Sequence, residues 1–367
     1  MWSDIDYLRV YRDFSYDYQN YWNLPEFVDS LHNSSMKYVP IIDAGIAYRP
    51  KGHNYTVFED GQASDLFIKA PNGEIFVGQV WPNDAAYPDY FNEKTAGWWQ
   101  SNLASLQELI HFDGIWEDMN EASNFCNGPC YPGQKAASPV KYQLKYTPTG
   151  RDLEVKSMSM DATHANGFTQ LDTHNYYGTQ MVKATHEYFQ MADKRTFIIE
   201  RSSFAGMGKY GSRWLGDNES RPSHMALSVT GIMLMNVFGI PLAGADICGF
   251  GGSTTPELCA RWHVVGAFYP FSRNHNAIGQ ASQEPYVEMF QQVYEGTITY
   301  SAIMKYAIQT KYELMRYYYT NMMKLSLQGS GTFYKPLFFE FPEDVNAYQN
   351  LTDNVMLGSS LKLSVNA

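Results

Sequence analysis

The sequence lacks a long uninterrupted apolar run of the kind that forms a membrane-spanning helix. The longest apolar stretch, VTGIMLMNVFGIPLAGA at 229–245, is broken by Asn236, Pro241 and internal glycines. A membrane-spanning helix needs about 20 predominantly apolar residues, so we interpret this stretch as the end of a buried helix, a loop and a buried strand. The first residues, MWSDIDYLRVYRDF, have neither the basic start nor the apolar core of a signal peptide.

The sequence also lacks an excess of positive charge. It has 38 acidic and 27 Lys or Arg residues, a formal net charge of −11. Nucleic acids and anionic membranes bind clustered cations, so we expect neither as a partner. The 367 residues are 44% hydrophobic and 18% charged, which is typical of a soluble globular protein. Aromatic residues reach 16%, and aromatic faces serve as platforms in sugar-binding clefts as well as filling cores.

Cysteine is scarce and falls in two local pairs. Cys126 and Cys130 lie in FCNGPCYPG, and Cys248 and Cys259 lie in DICGFGGSTTPELCAR. A zinc site is the alternative, but the spacings do not match zinc patterns. We favour the disulfides Cys126–Cys130 and Cys248–Cys259, formed in an oxidising compartment, and expect neither a metal nor a cofactor.

Glycosylation sequons agree with such a compartment. Three lie in polar segments, at Asn33, Asn54 and Asn350. A fourth begins at Asn218, and we expect this asparagine to be too enclosed to be glycosylated.

Short apolar runs alternate with longer helical patterns along the chain. The predicted strands are 37–44, 112–118, 196–202, 239–246 and 266–273, and the predicted helices include 92–110, 174–192 and 299–323. Such alternation indicates a parallel sheet covered by helices.

The strand ends carry the informative residues. The apolar runs end in Asp43, Asp118, Arg201, Asp246, and the pair Arg273 and His275. In a (β/α)8 barrel the loops after the strands build the active site, so this layout favours a barrel with a catalytic face. A doubly wound α/β sheet is the alternative, although no Gly-rich phosphate loop follows any strand.

Several blocks resemble glycoside hydrolase family 31, in particular its acid α-glucosidase and maltase-glucoamylase branch. WEDMNEASNF (116–125) is similar to the family's nucleophile motif, and RSSFAGMGKYGSRWLGDN (201–218) to its acid/base block. Further matching blocks follow the family's order: SDIDYL (3–8), GQVWPN (78–83), MDATHANG (160–167), GADICGF (244–250) and GAFYPFSRNHN (266–276). The resemblance implies an α/β fold with a (β/α)8 TIM barrel.

The resemblance implies that Asp118 is the nucleophile and Asp217 the general acid/base of a retaining α-glucosidase. Such enzymes place the two carboxyl groups about 5 to 5.5 Å apart across the scissile bond. Asp118 must be ionised, whereas Asp217 must hold its proton and needs a raised pKa, from burial or from the nearby negative Asp118. The implied substrate is a terminal nonreducing α-linked glucose of maltose-type oligosaccharides, glycogen or starch.

Further positions resemble the family's sugar-contacting residues. The matching blocks imply hydrogen bonds from Asp4, Asp246, Arg201 and His275, and apolar walls from Ile41, Trp81, Trp116, Met119, Trp214 and Phe250. Taken alone, Trp81 is equally consistent with a core residue, and His275 with a buried imidazole.

Two positions depart from the family pattern. Glu117 stands where an apolar or amide residue is usual. By strand alternation it points away from Asp118, so we expect a structural role for it, with an effect on the pKa of Asp118 as the alternative. Pro222 follows the acid/base block where tryptophan is frequent, and we expect it to open a helix.

The matching blocks start late in the family's barrel. We therefore expect residues 1–330 to form an incomplete barrel of about six of the eight strands, with an insertion at about 47–90 and a Pro/Gly-rich excursion at 126–160. Residues 331–367 resemble the start of a C-terminal β-sandwich. An open barrel exposes strand edges, so we expect the isolated chain to be unstable or inactive. A non-catalytic homologue that binds sugar is the alternative function, and a lysosomal or extracellular location in the secretory pathway is expected.

Overall fold

A computed structural model describes residues 1–48, 54–135, 146–147 and 152–365. The chain divides into two compact units, Met1–Gly211 and Ser212–Ala367. Parts of two predicted segments lie outside the described residues, namely 49–53 of the insertion, and 136–145 and 148–151 of the excursion. The predicted boundary at residue 330 stays a prediction.

The first unit is built on parallel strands. Its strands are β1 (Trp2–Ser3), β2 (Val39–Asp43), β3 (Ile46–Ala47), β4 (Val77–Val80), β5 (Asn83–Ala86), β6 (Ile115–Asp118) and β7 (Ile198–Glu200). Its helices are α1 (Leu24–Asn33), α2 (Thr56–Ala63), α3 (Thr95–Leu109), α4 (Gln170–Thr173) and α5 (Tyr177–Met191). Strands β1, β2, β6 and β7 pair in parallel in that order.

Burial explains why these short runs become strands. All five residues of β2 and three of the four in β6 are buried, as expected for parallel strands covered on both faces. Helices α3 and α5 pack together, where Trp99 Nε1 donates to Thr185 Oγ1 at 2.8 Å. Within the predicted insertion, β5 pairs antiparallel with both β3 and β4.

The second unit has its own parallel pairs. Its strands are β8 (Ser212–Trp214), β9 (Ala243–Gly244), β10 (Asp246–Ile247), β11 (Arg273–Asn274), β12 (Val293–Tyr294), β13 (Ile298–Thr299), β14 (Tyr334–Lys335), β15 (Asn354–Leu357) and β16 (Leu361–Ser364). Its helices are α6 (Pro222–Val237), α7 (Pro256–Gly266), α8 (Tyr300–Glu313) and α9 (Met315–Gln328). β8 pairs in parallel with β9 and β10 with β11, whereas β14, β15 and β16 are antiparallel.

Asn236, which interrupts the longest apolar stretch, has a structural role in the second unit. Its buried Oδ1 accepts the N–H groups of Phe333 at 3.0 Å and Tyr334 at 2.9 Å. The amide thereby ties α6 to the start of β14. The interpretation of 229–245 is confirmed, because α6 ends at Val237 and β9 follows after a loop. Among the described residues, no helix has the length and hydropathy to cross a membrane.

Most predicted elements are confirmed, and one is wrong. β2, β6 and β7 lie within the predicted strands 37–44, 112–118 and 196–202, and Pro222 opens α6 as expected. The predicted strand 266–273 is mostly a turn, since α7 ends at Gly266 and β11 begins at Arg273. The apolar run is used for side-chain contacts, because the Tyr269 hydroxyl bonds Ser228 and Trp262 in the core. The predicted helix 299–323 is two helices that meet at Leu314.

Candidate active site

In the first unit, polar side chains converge where β2, β6 and β7 end. Asp43 and Asp118 are register partners at the ends of β2 and β6, and Arg201 directly follows β7. The carboxyl ends of parallel strands meet at one edge of a sheet, so residues far apart in sequence become neighbours. These three residues thus lie at strand ends, as the sequence predicts, and their catalytic role stays a prediction.

Arg201 lies at the centre of this group. Its Nη1 is 3.0 Å from Asp118 Oδ1, and its Nε and Nη2 donate to Glu121 at 2.8 and 3.0 Å. Nη2 also lies 3.0 Å from the sulfur of Met119. A guanidinium this close favours the ionised form of Asp118, and the fork to Glu121 fixes the guanidinium plane. Glu121 lies within the motif that resembles the family's nucleophile block but was not predicted as a site residue.

The backbone turns sharply directly after Asp118. Met119 has φ of +57°, in the left-handed region that a residue with a long side chain rarely adopts. Its side chain is buried and contacts Arg201. Such strain persists only where the surroundings enforce it, and it is frequent at active sites.

Two further carboxyl groups lie buried beside Asp118. Asp13 and Asp43 are 1% and 2% exposed, and Asp13 Oδ1 accepts the Asp43 N–H at 2.8 Å. Burial raises the pKa of Asp13 to about 8. It also raises the pKa of Asp43 well above its usual range, with the charges of Asp13 and Asp118 adding to the effect. Both groups therefore favour the neutral form at neutral pH.

The other predicted contacts of the first unit differ in exposure. Ile41 and Trp116 are register partners on β2 and β6 and are 1% and 3% exposed. Trp116 packs edge to face against Trp2, with ring centroids 6.2 Å apart. Trp81, by contrast, is 41% exposed and contacts Phe125 edge on at 5.2 Å. Asp4 accepts the Ile5 N–H at 2.6 Å.

In the second unit, Asp246 is held by an ion pair. Its side chain is fully buried, and its Oδ1 lies 2.9 Å from Arg273 Nη2. The same guanidinium lies 5.1 Å from the ring centroid of Trp214, which is itself buried at the end of β8. Arg273 thus contacts both Asp246 and Trp214, two of the residues predicted to contact the sugar. Arg273 was predicted as a strand-end residue but not as a residue of the site.

Asp217 and His275 complete the predicted residues of this unit. Asp217 is exposed on the loop that follows β8. Burial, together with Arg273, lowers the pKa of His275 to about 3, so its imidazole is neutral at neutral pH. The His275 ring lies 5.2 Å from that of Phe250.

Both predicted disulfides are present. Their Cα atoms are 5.5 Å apart for Cys126–Cys130 and 4.4 Å apart for Cys248–Cys259. His263 Nδ1 lies 3.4 Å from Cys248 Sγ and 3.8 Å from Cys259 Sγ, a neighbour that the cysteine spacing did not reveal. The two sulfurs are bonded to each other, so neither is a thiolate that would bind a cation.

Glu117 points away from Asp118, as strand alternation predicts. It is fully buried, and burial raises its pKa to about 8, a rise that the Thr185 side chain partly opposes. The folded chain therefore binds a proton that the unfolded chain has lost between about pH 4.5 and pH 8. Over that range the contribution of Glu117 to stability falls as the pH rises.

We expect Glu117→Gln to stabilise the protein at neutral pH, because glutamine never ionises. The gain should be on the order of 2 kcal/mol at pH 7.5 and near zero at pH 4.5. Thermal or urea unfolding at both pH values measures it, with Glu108→Gln on the exposed face of α3 as the matched control. An equal effect at the two pH values contradicts this account of Glu117.

Residues 1–321 match the TIM-barrel domain of the glycosyl hydrolases family 31. The chain is 37% identical over 367 residues to a probable alpha-glucosidase of Oryza sativa subsp. japonica, covering 99% of this chain and 39% of that relative. It is also 37% identical over 352 residues to the lysosomal alpha-glucosidase of Bos taurus, covering 95% of this chain and 36% of that relative. The chain thus spans less than half the length of these relatives.

Solved structures agree with this assignment. The crystal structure of the Tris-bound glucosidase II alpha subunit is similar with a TM-score of 0.82 and 28% sequence identity, covering 97% of this chain and 35% of that one. The chain belongs to glycoside hydrolase family 31. Its α/β class with a TIM-barrel domain is therefore confirmed, and the doubly wound alternative is wrong.

Proposed function

We propose that this chain provides the catalytic residues of a retaining α-glucosidase, which removes terminal nonreducing α-linked glucose from maltose-type oligosaccharides, glycogen or starch. The observation that carries the proposal is the Arg201 guanidinium 3.0 Å from Asp118 Oδ1 at the end of β6. The positive charge beside Asp118 favours its ionised form, whereas the neighbouring Asp13 and Asp43 are buried and favour their neutral forms. A carboxyl group must carry its negative charge to attack the anomeric carbon of the sugar as a nucleophile.

In the first step, the protonated Asp217 gives its proton to the glycosidic oxygen. The bond from that oxygen to the anomeric carbon breaks, and an Asp118 oxygen bonds to the carbon from the opposite face. The intermediate is a β-linked glycosyl ester, reached through an oxocarbenium-like transition state that negative charge stabilises.

In the second step, Asp217 acts as a base. Its carboxylate takes a proton from water, and the water oxygen displaces Asp118 from the anomeric carbon. Two inversions give glucose with its original α configuration, and both aspartates return to their starting states.

The predicted sugar-contacting residues have different roles under this proposal. Asp4, Arg201 and the neutral His275 hydrogen-bond glucose hydroxyls, while Trp81 and Phe250 provide apolar contact. Ile41, Trp116, Met119 and Trp214 are nearly closed to solvent, so they act by excluding water and strengthening nearby charges. Asp246 is fully buried and paired with Arg273, so its predicted contact with a hydroxyl is not carried over. An oxidising compartment of the secretory pathway, lysosomal or extracellular, fits the two disulfides and the exposed sequon residues Asn33, Asn54 and Asn350.

An α-configured cyclitol epoxide tests the proposal, because its strained ring traps a carboxylate nucleophile as a stable ester. We expect the native protein to lose activity on maltose as one equivalent is incorporated, with the label on the peptide that contains Asp118. Excess glucose should slow the labelling. Glucose binding without incorporation, or a label on another residue, contradicts the proposal and favours a sugar-binding homologue.

A further inference from the structure

Asn218, the residue after the proposed acid/base Asp217, uses both ends of its side-chain amide. Its Nδ2 donates to the carbonyl oxygen of Asp246 at 3.0 Å, and its Oδ1 accepts the Phe250 N–H at 3.0 Å. Its backbone carbonyl accepts the N–H groups of Phe250 and Gly251, both at 2.8 Å. We call residues 216–221 the acid loop and residues 246–252 the clasp loop.

Ser220 makes a second connection between these loops. Its hydroxyl lies 2.8 Å from the Cys248 carbonyl oxygen and 3.0 Å from that of Gly252, and its N–H donates to the Gly251 carbonyl at 2.8 Å. A Cβ added to Gly249, which has φ of +90°, would lie 2.4 Å from the Ser220 nitrogen. The two backbones approach as closely as glycine permits.

The clasp loop is a fixed support. Cys248 is joined to Cys259 on α7, and the buried Gln283 donates to the Gly249 carbonyl oxygen at 3.1 Å. The Asp246 carboxylate is held by Arg273. An acid loop bonded to this support is held in place although Asp217 itself is exposed.

We propose that Asn218 is a positioning residue, which bonds the acid loop to the clasp loop so that Asp217 is oriented for proton transfer. The inference rests on the proposed function of Asp217. Proton transfer requires the catalytic group within hydrogen-bond reach of the oxygen it protonates, and an error of about 1 Å costs about 10²-fold in rate. The Asn218 side chain is therefore used for the contact between the loops and not for glycosylation, since a sugar attached to Nδ2 would interfere with its hydrogen bond to the Asp246 carbonyl oxygen.

The leaving group of the substrate distinguishes positioning from general stability. The second glucose unit of maltose would leave as a poor alkoxide and therefore needs the proton of Asp217, whereas the fluoride ion of α-glucosyl fluoride departs without a proton. We expect Asn218→Ala to lower kcat/KM of the native protein by about 10²-fold on maltose and by no more than about threefold on α-glucosyl fluoride. Parallel losses on both substrates, or no loss on either, overturn the inference.

Asn218→Asp guards against a failure of the alanine variant to fold. It keeps the size and the acceptor for the Phe250 N–H but cannot donate to the Asp246 carbonyl in its ionised form. We expect the same preference for the fluoride with a smaller loss on maltose, and its absence in a folded Asn218→Asp protein overturns the inference. Asn346→Ala, which removes an exposed amide bonded only locally to Asp344, is the matched control.

A further control separates this inference from the proposed function. Asp118→Asn should be inactive on both substrates. If it turns over maltose like the wild type, the proposed function fails irrespective of Asn218. If it is inactive while Asn218→Ala loses both substrates equally, only the positioning role fails.

Discussion

Asp118→Asn should lower kcat on maltose by on the order of 10⁵-fold, equivalent to about 7 kcal/mol of activation free energy. The amide cannot bond to the anomeric carbon as a carboxylate does, and it removes the negative charge that faces the oxocarbenium-like transition state. Steady-state kinetics with maltose measure the loss. A decrease of less than about 10²-fold would place the nucleophile elsewhere.

The fold should survive this substitution. Arg201 keeps its two bonds to Glu121, so no guanidinium is left buried without a carboxylate. Removing the charge of Asp118 also lessens the rise in the pKa of Asp43. The melting temperature should therefore stay within a few degrees of the wild type. Asp29→Asn, at an exposed ion pair with His111, is the matched control and should retain full activity.

The residues at the strand ends were predictable because their geometry is encoded locally. An apolar run followed by a polar residue marks the end of a buried parallel strand, and such ends meet at one edge of the sheet. Asp118 and Arg201 are 83 positions apart in sequence, yet their contact follows from this rule. The same rule placed Asp43 beside Asp118.

The partners of those residues were not predictable in the same way. Asp13 lies in an irregular segment, and its bond to the Asp43 N–H arises only when that segment folds over β2. Arg273 binds Asp246 because β10 and β11 pair in register. The apolar run at 266–273 resembles a strand in sequence. The hydroxyl of its Tyr269 hydrogen-bonds core side chains, however, and hydrophobic periodicity does not predict such contacts. The motifs likewise predicted which apolar residues would form the walls of a cleft, but not how deeply each of them is buried.

The second large effect concerns Asp217. Asp217→Ala should lower kcat/KM on maltose by about 10³-fold, because the glycosidic oxygen leaves without a proton. With α-glucosyl fluoride the first step needs no acid, so the glycosyl ester on Asp118 should accumulate and hydrolyse slowly. Added azide should then restore turnover, since it needs no general base. Asp353→Ala, an exposed carboxylate of the same unit, should change none of these rates.

The configuration of the azide product assigns the two aspartates separately. In Asp217→Ala, azide displaces Asp118 from a β-linked ester, and the inversion gives α-glucosyl azide. In Asp118→Ala, azide occupies the space of the missing carboxylate and attacks α-glucosyl fluoride directly, which gives β-glucosyl azide. The coupling constant of the anomeric proton in the NMR spectrum distinguishes the products. Exchange of the two products between the variants would reverse the assigned roles, and identical products from both would contradict a double displacement through Asp118.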